Sequence, residues 1–301
     1  MAIDTTVGAN LIRDDVWSKR IQEELQEALI AQTIMEFITD FPDGDELHLP
    51  KLGSLTTRDY TEGDAITVDD PTVNEFLLTI DKYVQTGIAI TDKMRQDTFY
   101  MEVLNTKFPE QMMRAIQERL ENDIFLLHKS QTSNDANTIN GQAHRYVGTG
   151  TSNVITLADI AQAKLSLDKA NVSKSGRKAF VDPTVAYQLV NIDNVIRQDV
   201  YGANSALKEG FGTTQSLGTY LGFDFYESNM LDEATALNHV TGGSLKANLF
   251  IGEEAFIGAM RLNPEIEKSR DWERKRDVYH ATSRYGLGLY RAESLVTVLT
   301  A

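Results

Sequence analysis

The chain has 301 residues, 42% hydrophobic and 24% charged, with a formal net charge of −15 and no cysteine. This composition is ordinary for a water-exposed folded protein, which excludes disorder throughout, and the missing cysteines exclude disulfides, thiolate metal sites and a cysteine nucleophile together. The acidic balance, with 3 Lys/Arg against 10 Asp/Glu in residues 1–45, disfavours a sequence-reading DNA binder; it suits a surface that lies near nucleic acid without sticking to it, and plain solubility is its commoner meaning.

A length near the limit of a single core implies two lobes, or one body with extensions. No window approaches the roughly 18 apolar residues of a membrane span, and "MAIDTTVGANLIRDD" lacks a signal-peptide pattern. Synthesis and use in a cytoplasm are therefore expected.

In chain order, "DDVWSKRIQEELQEALIAQTIMEFI" (14–38) places apolar residues at 17, 21, 25, 28 and 29, which predicts one helix with a single buried stripe. "FPDGD" (41–45) supplies a turn. From Glu46 to Ile90 two strand-like stretches flank a polar middle, predicting a long hairpin that turns near Glu62–Asp64. An isolated two-stranded hairpin is marginal in water, so such an arm is expected to lie on another surface, a neighbouring subunit among the candidates.

Residues 91–131 carry apolar side chains at 108, 112, 116, 120, 124 and 127. That stripe predicts the longest helix, with a kink or a fresh start at Pro109. Residues 133–153 read as a polar loop. Across 154–262 strands and helices alternate: Thr156 and Asp159 stand at capping-box spacing, and Asp182 precedes Pro183 where a strand gives way to a helix. "GFDFYESNML" reads as a strand, and "ANLFIGEEAFIGAM" as a strand running into a short helix. From Pro264 onward strand character returns, with Gly286 and Gly288 placed where another backbone can approach closely.

No constellation for catalysis emerges. The five histidines are scattered, and His128, following an apolar stripe, reads as a structural histidine. "GTGTSN" (148–153) and "GFGTTQ" (210–215) begin like phosphate cradles but lack the third glycine. Asp43, Asp45 and Glu46 form an acidic turn without EF-hand spacing. The run "SRDWERKRD" (269–277) interleaves Arg270, Arg274, Lys275 and Arg276 with three acids, which suits an ion-pair network better than a phosphate groove.

The order of elements, together with "HATSRYGLGLYRAESLVTVL" at the end and "ADIAQAKLSLDKANVSKSGRKAFVDPTVAYQLV" (158–190), resembles the major capsid proteins of tailed bacteriophages. Their fold also appears in encapsulins and herpesvirus capsid floor domains. The resemblance implies an α+β tailed-phage capsid fold in five parts. These are an N-terminal arm with helix (1–45), an extended hairpin loop (46–90), a peripheral domain with a spine helix (91–153), an axial domain (154–262), and return strands of the peripheral domain (263–301).

The implied function is a structural, non-enzymatic subunit without cofactor or metal. It would self-assemble into an icosahedral shell around double-stranded DNA, in a virion put together in the host cytoplasm. Implied partners are the chain itself in pentamers and hexamers, a separate scaffolding protein (about 45 residues before the hairpin are too few for a fused one), a portal protein, a decoration or cement protein, and DNA contacted non-specifically, with no membrane. The interface candidates are Trp17, Arg58, Tyr60, Glu62, Asp64, Arg270, Arg274, Lys275, Arg276, Arg284 and Arg291. For Arg284 and Arg291, as for Tyr285 and Tyr290, packing within the chain remains an equal alternative. Two other readings stand beside this one: an encapsulin shell, which needs an inner apolar groove for cargo, and an unrelated α+β enzyme.

Overall fold

The computed structural model describes residues 29–38, 44–53, 57–59, 62–63, 65, 73–97, 101–131, 137–190, 216–234 and 245–301. In chain order the first half runs β1 (Met35–Ile38), β2 (Glu46–Leu52), β3 (Val73–Thr79), β4 (Lys82–Thr91), α1 (Asp92–Asp97), α2 (Met101–Phe125), β5 (Thr138–Ile139), β6 (Gln142–Ala143), β7 (Arg145–Val147) and α3 (Leu157–Lys169). The second half continues with β8 (Lys178–Val181), α4 (Pro183–Val190), β9 (Ser216–Tyr220), β10 (Phe223–Glu227), β11 (Glu233–Ala234), β12 (Leu245–Ile251), β13 (Phe256–Asp271), β14 (Arg276–Leu289) and β15 (Leu295–Thr300).

Two sheets organise these elements. The larger has the order β7-β15-β12-β8-β10-β9, with β11 also on β12. Its central strands are covered on both faces. Ala179, Val181, Phe250, Val296 and Val298 point to α3 and α4, where Ile160, Ala163, Leu167, Val185 and Leu189 complete one core. Phe180, Leu249, Ile251 and Leu295 point the other way, to Leu120, Ile124 and Phe125 of α2 and to Phe256 and Tyr285. Two-sided burial explains why "KAFV", "NLFI" and "LVTV" are nearly continuous apolar runs without alternation. Each fully buried Phe or Leu contributes about 1.5–3 kcal/mol.

The second sheet has the order β1-β13-β14-β4. β13 and β14 form a long antiparallel ribbon joined by the turn at Trp272–Lys275. β4 pairs with β14 from Lys82↔Tyr285 to Thr91↔Arg276. Under this sheet lie Met112 and Ile116 of α2, against Ala281 and Ile88. The stripe read from sequence is thus the face that α2 buries: first on the ribbon, then, at Leu120 and Ile124, on the junction between the sheets.

β2 and β3 pair antiparallel from Glu46↔Thr79 to Leu52↔Val73, which is the hairpin expected there. β4, assigned to the same arm from sequence, leaves it and joins the ribbon. β13 runs across residue 262 and β15 lies in the larger sheet, so the division placed at 262/263 falls inside a strand.

Four local expectations are corrected. The helix predicted over 14–38 does not reach Ile38: Ala31–Ile34 is a 3-10 turn, and Met35–Ile38 is a strand parallel to Phe256–Ala259. The open edge of β13 claims it, and burial of Met35 wins over the helical pattern. Residues 14–28 lie outside the described residues.

Residues 137–147 are not a plain polar loop but the β5–β6 hairpin and β7, which pairs with β15. No short helix follows β12. Glu253 and Glu254 form a turn, Glu254 at φ 55, and the chain re-enters a 16-residue strand because Phe256 and Ala259 are buried. Pro109 sits inside one continuous helix rather than at a fresh start.

The capping box at α3 is present in both directions. The buried Asp159 carboxylate accepts from Thr156 N at 2.7 Å and Thr156 Oγ1 at 2.8 Å, and also from Thr149 N at 3.1 Å and Thr149 Oγ1 at 2.8 Å. It therefore ties the 148–153 loop to the helix start. Asp159→Ala is expected to lower subunit stability by about 1–2 kcal/mol in urea unfolding, and Asp159→Asn by less because one carbonyl oxygen still accepts.

Candidate subunit interface

Those candidates from sequence that lie within the described residues fall in four places. Arg58 and Glu62 are exposed in the outer part of the β2–β3 arm, next to Gly63 at φ 97. Trp17, Tyr60 and Asp64 lie outside the described residues. Arg270, Arg274, Lys275 and Arg276 come together at the ribbon tip, while Arg284 lies at the arm's root and Arg291 beyond the far end of β14.

At the tip the charges are interleaved, as the sequence suggested. Arg270 grips Asp92 of α1 through both guanidinium nitrogens, at 2.6 and 2.8 Å, and donates to Asp277 at 2.8 Å. Arg95 reaches Asp277 at 3.4 Å, and Arg276 donates to Asp271 at 2.9 Å. The Arg270 hydrogen bonds hold the Asp92 and Asp277 carboxyls below the usual carboxylate range and raise the guanidinium's own value. Arg270 thus fixes the ribbon to α1 and sets the direction of the tip. Arg274 and Lys275 face solvent, with only a 3.7 Å contact from Arg274 to Asp271 among the ion pairs of the described residues.

Trp272 stands beside them, 79% exposed, with the Arg270 guanidinium 5.5 Å from its ring centroid. Charge dominates the pattern of this run in sequence and does not single out its tryptophan. A lone indole among eight polar residues was the available signal.

At the arm's root Arg284 donates to Asp45 at 2.7 Å, and Arg261 pairs with Asp45 and with the Gly44 carbonyl. Asp45 therefore serves as a clamp between the arm and the ribbon; Asp43 of the same acidic turn lies outside the described residues. Among the described residues no group of His, Asp and Glu could hold a metal ion.

Above the clamp the arm crosses β14 at its two glycines. A Cβ on Gly286 would strike the Thr79 carbonyl oxygen and stand 2.9 Å from the Ile80 Cα; one on Gly288 would meet the Phe76 ring at 2.9 Å. Phe76 in turn packs edge-on against Tyr290 at 5.4 Å. Gly286 thus meets the close backbone approach that the sequence anticipates, whereas Gly288 meets side chains instead.

Arg291 pairs with Glu254 at 2.8 Å and lies over Tyr290. Both residues border a groove of about 680 Å³ between β1, β2 and the turn before β13. Tyr285, also weighed as an interface residue, is fully buried and donates to Asp123 at 2.9 Å, so it serves internal packing.

A site that sequence reasoning missed is internal and polar. His128 and Arg145 are both fully buried. Arg145 Nη1 stands 3.0 Å from His128 Nδ1, and His128 Nε2 stands 3.1 Å from Asp232, which also pairs with Lys129 at 2.7 Å. A guanidinium can only donate, so Nδ1 accepts and Nε2 carries the proton to Asp232. Burial and the adjacent Arg145 charge push the imidazole below its ordinary value. His128 is structural, as its sequence position implied.

These surfaces belong to a known architecture. The capsid of cyanophage P-SCSP1u superposes with a TM-score of 0.78 at 18% identity, covering 97% of this chain and 94% of that chain. Mycobacterium phage Che8 gives 0.72 at 19% identity over 95% and 97%. The capsid of a native GTA particle gives 0.70 at 11% identity over the whole of both chains. No curated protein matches the chain in sequence. The fold is therefore the α+β capsid fold. The family model for phage capsid protein matches residues 74–298, three quarters of the chain, from the inner strand of the arm to the last strand of the larger sheet, and the chain therefore belongs to the phage capsid protein family.

Proposed function

We propose that copies of this chain assemble through pentamers and hexamers into an icosahedral shell that encloses double-stranded DNA. The family match, which makes the chain a structural component of a phage capsid, carries this reading. The arm supports it: among the described residues β2 and β3 form a sheet of only two strands, marginal alone. It gains stability by lying on a neighbour. The shell of the native GTA particle, similar in fold over its full length, was computed with C5 symmetry, which agrees with rings of five. Neither the family nor the similar structures favour the encapsulin alternative.

In this reading the larger sheet with α3 and α4 is the axial domain that gathers around the symmetry axes. The ribbon with α2 is the peripheral domain, residues 46–79 are the extended loop, and residues 1–45 are the N-terminal arm. Shell contacts are heterologous and close by symmetry. A separate scaffolding protein, a portal and a decoration protein are the further partners. Packaged DNA is met without sequence specificity, consistent with the charge of −15. Assembly takes place in the host cytoplasm and the product is the virion; among the described residues no helix is long and apolar enough to cross a membrane.

The test is light scattering with negative-stain imaging of the chain alone and with its scaffolding protein. Closed shells or capsomer rings are expected. A small monomer or dimer under both conditions would overturn the proposal.

A further inference from the structure

The ribbon tip and the groove at its base have complementary chemistry. The tip presents an exposed indole, Trp272, flanked by Arg274 and Lys275. An indole left in water forgoes the burial of a large apolar face. The Arg270 guanidinium, itself held by Asp92 and Asp277, lies 5.5 Å from the Trp272 ring centroid and gives the ring one fixed neighbour. The groove has apolar walls from Ile34, Leu49 and Ile257 and an acidic rim of Glu36, Glu253 and Glu254. Glu254 is neutralised by Arg291, but Glu36 and Glu253 are exposed and carry no ion pair among the described residues. A partly apolar slot with two unpaired carboxylates fits an apolar knob flanked by two cations, of which Arg274 has only a long, exposed pair to Asp271 and Lys275 none among the described residues.

The knob and the slot lie at opposite ends of one strand. β13 begins at Phe256 in the groove and ends at Asp271 beside Trp272, and its 16 residues span roughly 50 Å at about 3.3 Å per residue. A subunit therefore cannot fill its own groove. From these facts we infer that the Trp272–Lys275 turn of one copy docks into the β1–β2–β13 groove of another. The contact is heterologous, each copy giving its tip to one neighbour and its groove to a second, as closed rings and shells require. This inference rests on the shell reading and adds to it a specific pair of surfaces. The acidic rim also argues against the outer arm of a neighbour as occupant, since that segment, "RDYTEGDAITVDD", carries a net negative charge of its own.

The test exploits charge reversal and the absence of cysteine. Arg274→Glu with Lys275→Glu, and separately Glu36→Lys with Glu253→Lys, are expected to raise the concentration needed for assembly at least tenfold. Their combination on one chain is expected to restore it, because every reversed tip then meets a reversed groove. Trp272→Ala should also raise it, with unchanged circular dichroism. As a measurement that does not depend on losing assembly, Glu273→Cys and Glu253→Cys are placed together in the cysteine-free chain and treated with a short bis-maleimide. Assembled shells should give a ladder of covalent multimers, and neither single variant should give more than a dimer. Shells of wild-type protein that assemble while Trp272→Ala assembles equally well, or shells of the double-cysteine variant that give no ladder, would overturn this contact and leave the shell reading standing. Failure of the wild-type chain to form any shell would overturn both.

Discussion

Replacing Gly286 by valine should detach the arm from the subunit without unfolding the rest. The position pairs with Ala259 inside the ribbon, yet its outward face is pressed on the chain where β3 ends. A new side chain there meets the backbone of Thr79 and Ile80, which no rotamer change can move aside. Overpacking of this kind costs about 1–3 kcal/mol. Here that cost is avoided most easily by lifting the arm, because its anchoring is modest: the small cluster of Leu78, Ile80 and Ala259 and the exposed Asp45 pairs to Arg261 and Arg284.

Hydrogen exchange should therefore speed up in residues 46–52 and 73–79 while β12 and β15 remain protected, and shell formation should fail. Gly288→Ala provides the control, because its new methyl would meet the ends of the Phe76 and Leu78 side chains, which can shift. Its effect should be several-fold smaller. Equal protection of the arm in wild type and Gly286→Val would show that the crossing does not hold it.

The same pair of glycines marks how far the sequence could be read. They signal a close approach without saying what approaches, the backbone of Thr79 and Ile80 at Gly286 and the Phe76 and Leu78 side chains at Gly288, since the partner lies some two hundred residues earlier. Local signals were legible wherever one element decides its own form. The Thr156–Asp159 box and the 112-116-120-124 stripe are short-range patterns, and both formed as read. Asp182, read as a cap before Pro183, accepts from the Thr184 amide at 3.0 Å.

The misread segments are those whose conformation is set by a distant partner. "MEFI" continues a helical pattern and becomes a strand because β13 offers an edge. "EEAF" favours a helix locally, yet the buried Ala255 and Phe256 draw the chain into the ribbon. Two-residue strands such as Thr138–Ile139 are too short to carry a period. Arg145 was invisible for a further reason. A buried arginine is rare enough to be assigned to the surface by default, and its partners His128 and Asp232 are separated from it by 17 and 87 positions. The surfaces between copies were legible only as charge and exposure, because no contact within one chain selects them.

Burial of His128, with the Arg145 guanidinium beside it, makes subunit stability depend on pH in a predictable direction. His128 must stay neutral, since its Nδ1 accepts from Arg145 and a proton there would oppose a fixed guanidinium. Three charged groups face the ring: Arg145 and Lys129 oppose its protonation, Asp232 favours it, and burial, the largest influence, opposes it. Burial raises the Asp232 carboxyl, but the hydrogen bonds from His128 and Lys129 outweigh it and keep that group ionised.

The imidazole therefore titrates below its ordinary value of 6.5 in the folded subunit. Between that value and its lowered folded one, the unfolded chain binds a proton that the folded chain refuses. The contribution of His128 is complete above about pH 6.5 and declines as the pH falls below it. Melting of the unassembled subunit should accordingly fall in temperature from pH 7 to pH 5. His128→Gln should flatten this dependence, because its carbonyl can accept from Arg145 while its amide donates to Asp232.

Arg145→Met should be less stable than wild type at pH 7. An unsatisfied buried Nδ1 alone costs about 1–3 kcal/mol. The pH dependence of this variant should also be shallower than that of wild type, because the charge opposing protonation is gone. A steeper dependence in Arg145→Met, or an unchanged one in His128→Gln, would place the acid sensitivity on carboxylates elsewhere. The predicted pattern would assign it to one imidazole, where the end of the long helix meets the larger sheet and joins the two halves of the subunit.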